Sequence, residues 1–281
     1  MIVFLNGQFV PEEQALVSVF DRGFLYGDGL FETLRVYNGK PFRWAQHVER
    51  LRRGAEFLGI RTPYLPSELL ENAEELIKRN RLAEALLRVS LSRGIGIRGY
   101  APKGANSPTL VLMLHPAPAL DAAAPFRWRV ISSSFRVPEG EKLALFKTCN
   151  KLPQILARAE AQAHGSDEAL LLNTSGQMAE GASSNIFWIE DATVCTTPIE
   201  SGILAGVTRE IVLELCASLA IRTEQKPATL ETLRSGSGLF LTLSSLEVVE
   251  VVTLNEIPMA RSPIVQRLYG AYRETVRRET A

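Results

Sequence analysis

The sequence predicts an α+β fold divided into two unequal halves. Three observations support this prediction. Strand-like and helix-like patterns alternate through most of the chain. The length of 281 residues suits one large domain or two modest ones. The stretch HPAPALDAAAP, at 115–125, lacks periodicity and has no bulky anchor except Leu120, as expected for a linker. We therefore predict a first domain over 1–115, a linker over 116–125 and a second domain over 126–281.

The first half begins with two predicted hairpins. Each has an Asn-Gly pair, which tolerates the positive φ of a tight turn, between two strand-like segments. The first joins 2–5 to 8–10 through Asn6-Gly7, and the second joins 30–37 to 41–42 through Asn38-Gly39. Apolar residues at helical spacing then predict a helix from Trp44 to Leu58, followed by a helix over 66–80 with proline in its first turn. Strands are predicted over 85–92 and 109–114.

The second half continues the mixed pattern. Strands are predicted at 128–134, 169–172, 184–189, 239–243 and 248–253. Helices are predicted at 153–164, from Val207 onward, and at 229–234. The sequence shows neither an internal repeat nor a low-complexity tract.

Composition excludes several classes of protein. Lys plus Arg and Asp plus Glu both number 31, so no net field favours nucleic acid or an anionic membrane. No apolar run approaches the roughly 20 residues of a membrane-spanning helix, and the N-terminus does not resemble a signal peptide. Three widely spaced cysteines have neither zinc-site nor disulfide spacing, so we predict no metal site and expect a reducing cytoplasm.

The most informative stretch runs from Glu180 to Arg209. It begins with a carboxylate, continues as a strand, and passes through a glycine-rich turn at 202–206 into a helix at Val207. A helix N-terminus offers unpaired N–H groups and a positive dipole to a phosphate. A carboxylate keeps a ring nitrogen protonated. Pyridoxal 5'-phosphate (PLP) is the ring that needs both.

The stretch resembles the signature of the class IV PLP-dependent aminotransferases. The matching residues are Glu-x-Ala-x-x-Asn-Ile-Phe from Glu180, then Val-Cys-Thr from Val194, and Leu-Ala-Gly-Val-Thr-Arg from Leu204. The resemblance extends from Asn6 to about Val252, and so many fixed positions make it specific. It implies a small N-terminal α/β domain, a larger barrel-like C-terminal α/β domain, PLP between them, and a homodimer.

The resemblance implies that Lys147 forms the Schiff base with PLP. Lys147 precedes Asn150 as Lys-x-x-Asn ahead of an apolar helix, and its apolar neighbours favour desolvation of the amine. A lysine in a loop is ordinarily exposed, so the family pattern decides the assignment. Lys142 and Lys151 are the local alternatives, and they fit the pattern less well.

The remaining cofactor contacts follow from the same resemblance. Glu180 would face the pyridine nitrogen and strengthen the ring as an electron sink. Arg50, in His-x-x-Arg-Leu, would grip the phosphate with its planar fork. The amides of Val207 and Thr208 and the hydroxyl of Ser244 would also bind the phosphate.

The predicted substrate-binding residues are Phe31, Arg98, Tyr100 and Ser245. Ser245 would lend its backbone N–H, and Arg98 its guanidinium, to a substrate carboxylate. The run Arg-Gly-Ile-Gly-Ile-Arg-Gly-Tyr at 93–100 looks most like 4-amino-4-deoxychorismate lyases. Phe31 stands where many aminotransferases of the family have tyrosine, and Leu152 stands where branched-chain aminotransferases usually have a tyrosine that contacts the ring oxygen. Both departures weaken the branched-chain assignment.

Three functions remain open at this point. An aminotransferase would move an amino group from an amino acid or amine to a 2-oxo acid, and we rank it first because it needs no further group. A 4-amino-4-deoxychorismate lyase would release 4-aminobenzoate and pyruvate. A non-catalytic binding protein would be expected to have lost Lys147 or Glu180, yet both are present.

Overall fold

The computed structural model describes residues 1–234 and 238–281, and it divides into two compact units. The first unit contains Met1–Pro118, Phe146–Asn150 and Glu279–Ala281, and the second contains Ala119–Leu145 and Lys151–Arg278. The junction at 118/119 lies within the predicted linker, 116–125. The segment 146–150, which carries Lys147, lies with the first unit rather than with the region that follows the linker.

The first unit is built on a six-stranded antiparallel sheet. Its strands are β1 (Ile2–Leu5), β2 (Gln8–Pro11), β3 (Gly29–Tyr37), β4 (Lys40–Pro41), β5 (Ala85–Ser92) and β6 (Thr109–Pro116). The order across the sheet is β2-β1-β6-β5-β3-β4. Both predicted hairpins are confirmed, and Asn6 (φ 48°) and Asn38 (φ 51°) adopt the left-handed conformation that their turns require.

Three helices accompany this sheet: α1 (Arg22–Tyr26), α2 (Trp44–Leu58) and α3 (Pro66–Asn80). Leu51 of α2 and Leu76 of α3 belong to the same buried cluster as Leu34, Leu87 and Leu112 of the central strands. The alternation of each strand therefore directs one set of side chains toward the two long helices.

The second unit contains a nine-stranded mixed sheet. Its strands are β7 (Phe126–Val137), β8 (Glu168–Asn173), β9 (Met178–Gly181), β10 (Asn185–Glu190), β11 (Thr193–Thr196), β12 (Thr223–Gln225), β13 (Leu239–Leu243), β14 (Glu247–Leu254) and β15 (Ile257–Pro258). The order is β12-β11-β10-β13-β14-β7-β8-β9, with β15 beside β14. β9 is the last strand in this order and β10 the third, yet only three residues join them, and the N–H of Gly181 donates to Ser184 O at 2.7 Å within that connection; the sheet must therefore curve back on itself. This curvature confirms the barrel-like prediction.

The helices of the second unit are α4 (Leu152–Ala163), α5 (Val207–Ser218), α6 (Leu230–Arg234) and α7 (Pro263–Thr280). Ala157 and Ala161 let α4 lie close to the sheet, where they pack in a cluster with Ala169 and Leu171 of β8. Leu170, between those two strand residues, belongs to a different buried cluster. Burial on both faces explains why these strands are continuous apolar runs rather than alternating ones.

Two helices were not predicted from the sequence. The first, α1, has only five residues, too few for periodicity to reveal. The second, α7, has 18 residues and buries Val265, Leu268, Tyr272 and Val276 at helical spacing. The periodic signal was therefore present in the sequence, although Gly270 interrupts it. Among the described residues, no helix has the length and apolarity to cross a bilayer.

Candidate active site

Lys147 lies on a short segment that extends the sheet of the first unit. The N–H of Phe31 donates to Lys147 O at 2.9 Å, and the N–H of Cys149 donates to Gly29 O at 2.9 Å. Phe146 is buried and stacks on Phe57 of α2, with ring centroids 4.6 Å apart. The side chain of Lys147 is half-buried, and its Nζ lies 4.9 Å from the centroid of the Phe31 ring. The backbone carrying this amine is thus held on both sides of the residue.

A second cation approaches the Phe31 ring. The guanidinium carbon of Arg88, on β5, lies 3.9 Å from the ring centroid, and its Nε donates to Ser90 Oγ at 3.2 Å. The pKa of Arg88 is lowered, because burial disfavours its charged form by more than the negative charge of an ionised Cys149 favours it. Arg88 was not predicted as a site residue, although an arginine within an apolar strand such as ALLRVSLS was a usable signal.

Arg50 is part of a buried charged cluster. Its Nε and Nη2 donate to the two carboxylate oxygens of Glu32, each at 2.7 Å, in the bidentate geometry typical of arginine. His47 lies one turn earlier on α2 and contacts Glu32 Oε2 through Nδ1 at 2.7 Å. The fork of Arg50 is therefore oriented by an acid that the sequence analysis did not identify.

Electrostatics fix the charge state of this cluster. Burial alone would raise the pKa of Glu32, but the charges and hydrogen bonds of Arg50 and His47 outweigh it and lower the pKa to about 2. The pKa of His47 is lowered, chiefly by burial, against the opposing effect of Glu32. A neutral imidazole must donate from Nδ1 to an ionised carboxylate, because the carboxylate only accepts.

Arg98 and Tyr100 lie on the loop that follows β5, and both are exposed. Tyr100 is 88% exposed, and its ring makes an edge-type contact with the ring of Tyr26 at a centroid distance of 5.6 Å. Gly94 begins this loop with φ +80°, and a Cβ there would lie 1.8 Å from Ser107 O. Only glycine fits that turn.

In the second unit, Glu180 is tied to the turn that precedes α5. The N–H of Leu204 donates to Glu180 Oε2 at 2.9 Å, and Leu204 O accepts from Asn185 Nδ2 at 2.9 Å. A Cβ on Gly206 would lie 1.9 Å from Asn185 Oδ1, so glycine is required for this close approach. The carboxylate and the helix N-terminus are therefore held in one arrangement by the Leu204 peptide.

The N-terminus of α5 has the features of an anion site. Gly206 is its N-cap and provides no side-chain cap, so the amides of the first turn, including Val207 and Thr208, lack the side-chain acceptor that most helices provide. Because Gly206 has no Cβ, an anion can approach these amides closely, and the geometry suits a phosphate group.

Ser244 and Ser245 form the turn between β13 and β14, and both are half-buried. Asn185 at the start of β10 pairs with Thr242 near the end of β13. Because these strands are antiparallel, the serine turn, Asn185 and the residues bound to Asn185 lie at the same end of the sheet. The predicted residues of the second unit therefore lie at one end of the strands of this sheet.

The predicted site residues thus fall into two sets. The first unit carries Phe31, Arg50, Arg98, Tyr100 and Lys147, and the second carries Glu180, Val207, Thr208, Ser244 and Ser245. Glu32, His47, Arg88 and Asn185 were not predicted. Among the described residues, no group of three or more His, Cys, Asp or Glu side chains is arranged to hold a metal ion.

Comparison with known proteins identifies the class to which this fold and these residues correspond. The model of the family described as amino-transferase class IV matches residues 29–254, and the chain belongs to that family. It is therefore an enzyme of the aminotransferase group, as the sequence motifs predicted.

The similar proteins have several activities. A Methanocaldococcus jannaschii protein, named provisionally as a branched-chain-amino-acid aminotransferase, is 35% identical, covering 91% of this chain and 88% of that protein. The aminodeoxychorismate lyase of Bacillus subtilis is 30% identical, covering 91% and 87%. The D-alanine aminotransferase of Staphylococcus epidermidis is 30% identical, covering 90% and 89%.

Solved structures confirm the fold. The branched-chain aminotransferase of Thermoproteus uzoniensis with norvaline matches with a TM-score of 0.92 at 30% identity, covering 98% of this chain and 94% of that one. A second branched-chain amino acid aminotransferase, solved with pyridoxamine 5'-phosphate and named as a T.th. protein, matches with a TM-score of 0.91 at 30% identity, covering 98% and 93%.

Proposed function

We propose that this enzyme binds PLP covalently through Lys147 and moves an amino group from an amino acid or amine to a 2-oxo acid. The observation that carries the proposal is the half-buried Lys147, whose amine lies over the Phe31 ring and whose backbone segment is hydrogen-bonded to β3. When bound, PLP supplies an electron sink for the substrate α carbon. The amino group of the substrate would replace Lys147 on the cofactor, and the released Lys147 amine would move the α proton as base and then as acid.

The other residues bind and orient. The uncapped first turn of α5, with the amides of Val207 and Thr208, receives the phosphate, assisted by Arg50 and Ser244. Glu180 faces the ring nitrogen, and the Leu204 N–H that holds its Oε2 fixes the orientation of the carboxylate. A neighbouring carboxylate keeps that nitrogen protonated.

Substrate contacts complete the proposal. Arg98 and the backbone N–H of Ser245 bind carboxylate groups, and Phe31 and Tyr100 contact the substrate side chain. Arginine suits the carboxylate because its planar fork matches two oxygens. The exposed positions of Arg98 and Tyr100 leave both side chains accessible.

Borohydride reduction tests the covalent assignment. Purified protein loaded with PLP is reduced, digested and analysed by mass spectrometry, and the pyridoxyl label should lie on Lys147. Lys147→Ala should lose both the label and turnover, whereas Lys142→Ala and Lys151→Ala should retain them. A label on Lys142 or Lys151, or turnover by Lys147→Ala, would refute the assignment.

A lyase activity on 4-amino-4-deoxychorismate is the second candidate. It is supported by the Arg98-Gly99-Tyr100 run and by the 30% identity to the B. subtilis lyase. The two activities separate when alanine enantiomers with 2-oxoglutarate, and aminodeoxychorismate alone, are offered to the same preparation. Release of 4-aminobenzoate without amino transfer would replace the first proposal by the second.

A homodimer is part of the proposed function. The first unit exposes large apolar side chains on two neighbouring segments: Leu16, Val19, Phe20, Phe24, Ile95 and Ile97. Asp21 and Ile95 form a β-bridge, so the two segments lie side by side, and we call these six side chains the apolar patch. A patch of this kind marks an interface, and a second copy is the expected partner.

Light scattering tests the homodimer. The wild type should have about twice the 31.0 kDa chain mass. Phe24→Asp in the patch should shift it toward monomer, whereas Leu65→Asp, exposed on another part of the unit, should not. A monomeric wild type would refute this part of the proposal.

A further inference from the structure

Arg22 lies beneath the loop that carries Arg98 and Tyr100, and it is buried, with its side chain 4% exposed. Its Nη1 donates to Gly99 O at 2.8 Å and to Ala101 O at 3.3 Å, and its Nη2 donates to Tyr100 O at 3.0 Å. One guanidinium therefore binds three consecutive carbonyls of the loop. Because these carbonyls turn inward, the adjoining side chain of Tyr100 points outward.

The opposite edge of the guanidinium is fixed by an acid. Arg22 Nε donates to Asp28 Oδ2 at 2.8 Å. Burial raises the pKa of Asp28, but Arg93 and Arg22 together lower it below its ordinary value, so the carboxylate stays ionised. Arg93 binds the same carboxylate at 2.7 and 3.0 Å, but its other contacts go to Leu58 O and Gly59 O at the end of α2.

Two further contacts show that the loop is built around Arg22. A Cβ on Gly96 would lie 2.9 Å from Arg22 Cδ, so glycine leaves the space through which the side chain passes. The N–H of Gly99 donates to the Tyr26 hydroxyl at 3.2 Å, and the Tyr26 ring lies 5.0 Å from the Arg22 guanidinium carbon. A glycine-rich loop would otherwise lose much conformational entropy on ordering.

We propose that Arg22 is a positioning residue, which holds the loop at 96–101 so that Arg98 is presented to the substrate carboxylate. This rests on the proposed function, because Arg98 is its carboxylate-binding residue. Arg22 does not itself contact substrate, since its donors are engaged by the loop carbonyls and by Asp28. Its effect therefore falls on substrate binding and not on cofactor attachment.

The test uses Arg22→Lys in the PLP-loaded enzyme, with 2-oxoglutarate as the probe. Enzyme carrying the aminated cofactor is mixed with increasing 2-oxoglutarate, and the absorbance change gives an apparent dissociation constant and a maximal rate. Lysine keeps the charge but cannot span Asp28 and three carbonyls. We expect the dissociation constant to rise about 10-fold, the maximal rate to stay within about 3-fold, and the reducible PLP content to be unchanged.

Arg93→Lys is the matched control, because Arg93 is also buried and shares Asp28 but does not bind the loop carbonyls. Its dissociation constant should stay within about 2-fold of wild type, whatever its loss in thermal stability.

A double variant tests whether Arg22 acts through Arg98. In an Arg98→Ala background, Arg22→Lys should raise the dissociation constant by less than a further factor of about 2. Tyr26→Phe, a milder change, should raise the dissociation constant about 3-fold, which keeps the test open if Arg22→Lys does not fold.

The outcomes are distinguishable. If Arg22→Lys and Tyr26→Phe bind 2-oxoglutarate as the wild type does, while Arg98→Ala binds it weakly, this inference fails and the proposed function stands. It also fails if Arg93→Lys weakens binding equally, or if the Arg22 and Arg98 effects are additive. If the wild type holds no reducible PLP, the proposed function itself fails.

Discussion

Replacing Glu32 by glutamine should destabilise the protein strongly, because Glu32 is the acid that holds Arg50. Glutamine preserves shape and some hydrogen bonding but removes the negative charge opposite Arg50, whose side chain is only 11% exposed. The ordinary pKa of Glu32, 4.5, falls to about 2 in the folded protein. At about 1.4 kcal/mol per pKa unit, this difference corresponds to about 3 kcal/mol at neutral pH. Breaking one partner of a buried pair costs a similar amount, about 3–5 kcal/mol.

The assay is thermal and urea unfolding of wild type and Glu32→Gln at pH 7. A loss of about 3 kcal/mol should lower Tm by roughly 6–12 °C. Glu49→Gln is the matched control, because Glu49 is on α2 and pairs with Arg52, but half of its side chain is exposed. That variant should change the free energy of unfolding by less than about 1 kcal/mol.

The pH dependence provides a second, independent signature. A carboxyl whose folded pKa is depressed stabilises the protein above its unfolded pKa and loses that effect as pH falls through the folded pKa. The contribution of Glu32 is therefore complete above about pH 4.5 and disappears toward pH 2. The difference between wild type and Glu32→Gln should fall to less than half at pH 3. An equal difference at both pH values, or one no larger than that of Glu49→Gln, would refute the reasoning.

Two other predictions follow from close packing. Gly206→Ala should lower the free energy of unfolding by about 1–3 kcal/mol and weaken PLP binding, because its Cβ would lie 1.9 Å from Asn185 Oδ1; unchanged Tm and PLP dissociation constant would contradict this. Gly270→Ala, in open space on α7, is its control and should raise stability by about 0.5–1 kcal/mol. Cys195 and Cys216 should resist a thiol reagent at pH 8 in the native protein and react with it in urea. Burial raises the pKa of both thiols, that of Cys216 to about 11, so little reactive thiolate is present in the folded state. Labelling of the native protein as fast as that of the unfolded protein would contradict this prediction.

Local sequence was most informative where the backbone itself is constrained. The Asn-Gly pairs predicted both hairpins because few residues adopt their left-handed φ. The glycine-rich turn before Val207 predicted the start of α5, and the helix does begin at Val207, with Gly206 as its N-cap. Lys147 was predicted from its motif as the residue that binds PLP, and that assignment stays a prediction; the residue is half-buried.

Contacts between residues far apart in the sequence were harder to predict. Glu32 is a buried acid within an apolar strand, and that anomaly was visible, but its partners His47 and Arg50 lie on another element. Arg22 likewise binds carbonyls 77–79 residues away. Identifying such partners requires the register of β3 and the packing of α2, which no local pattern contains.

By itself, the sequence determined the class of fold, the main turns, the family and the candidate residues, because these depend on local sterics and on motifs of fixed spacing. The tertiary structure alone decided which polar and charged groups meet: Glu32 with Arg50, the Leu204 N–H with Glu180, and Arg22 with the carbonyls of the Arg98 loop. Those contacts depend on how distant segments pack, and burial, which sets the strength of each charge pair, exists only once the chain has folded.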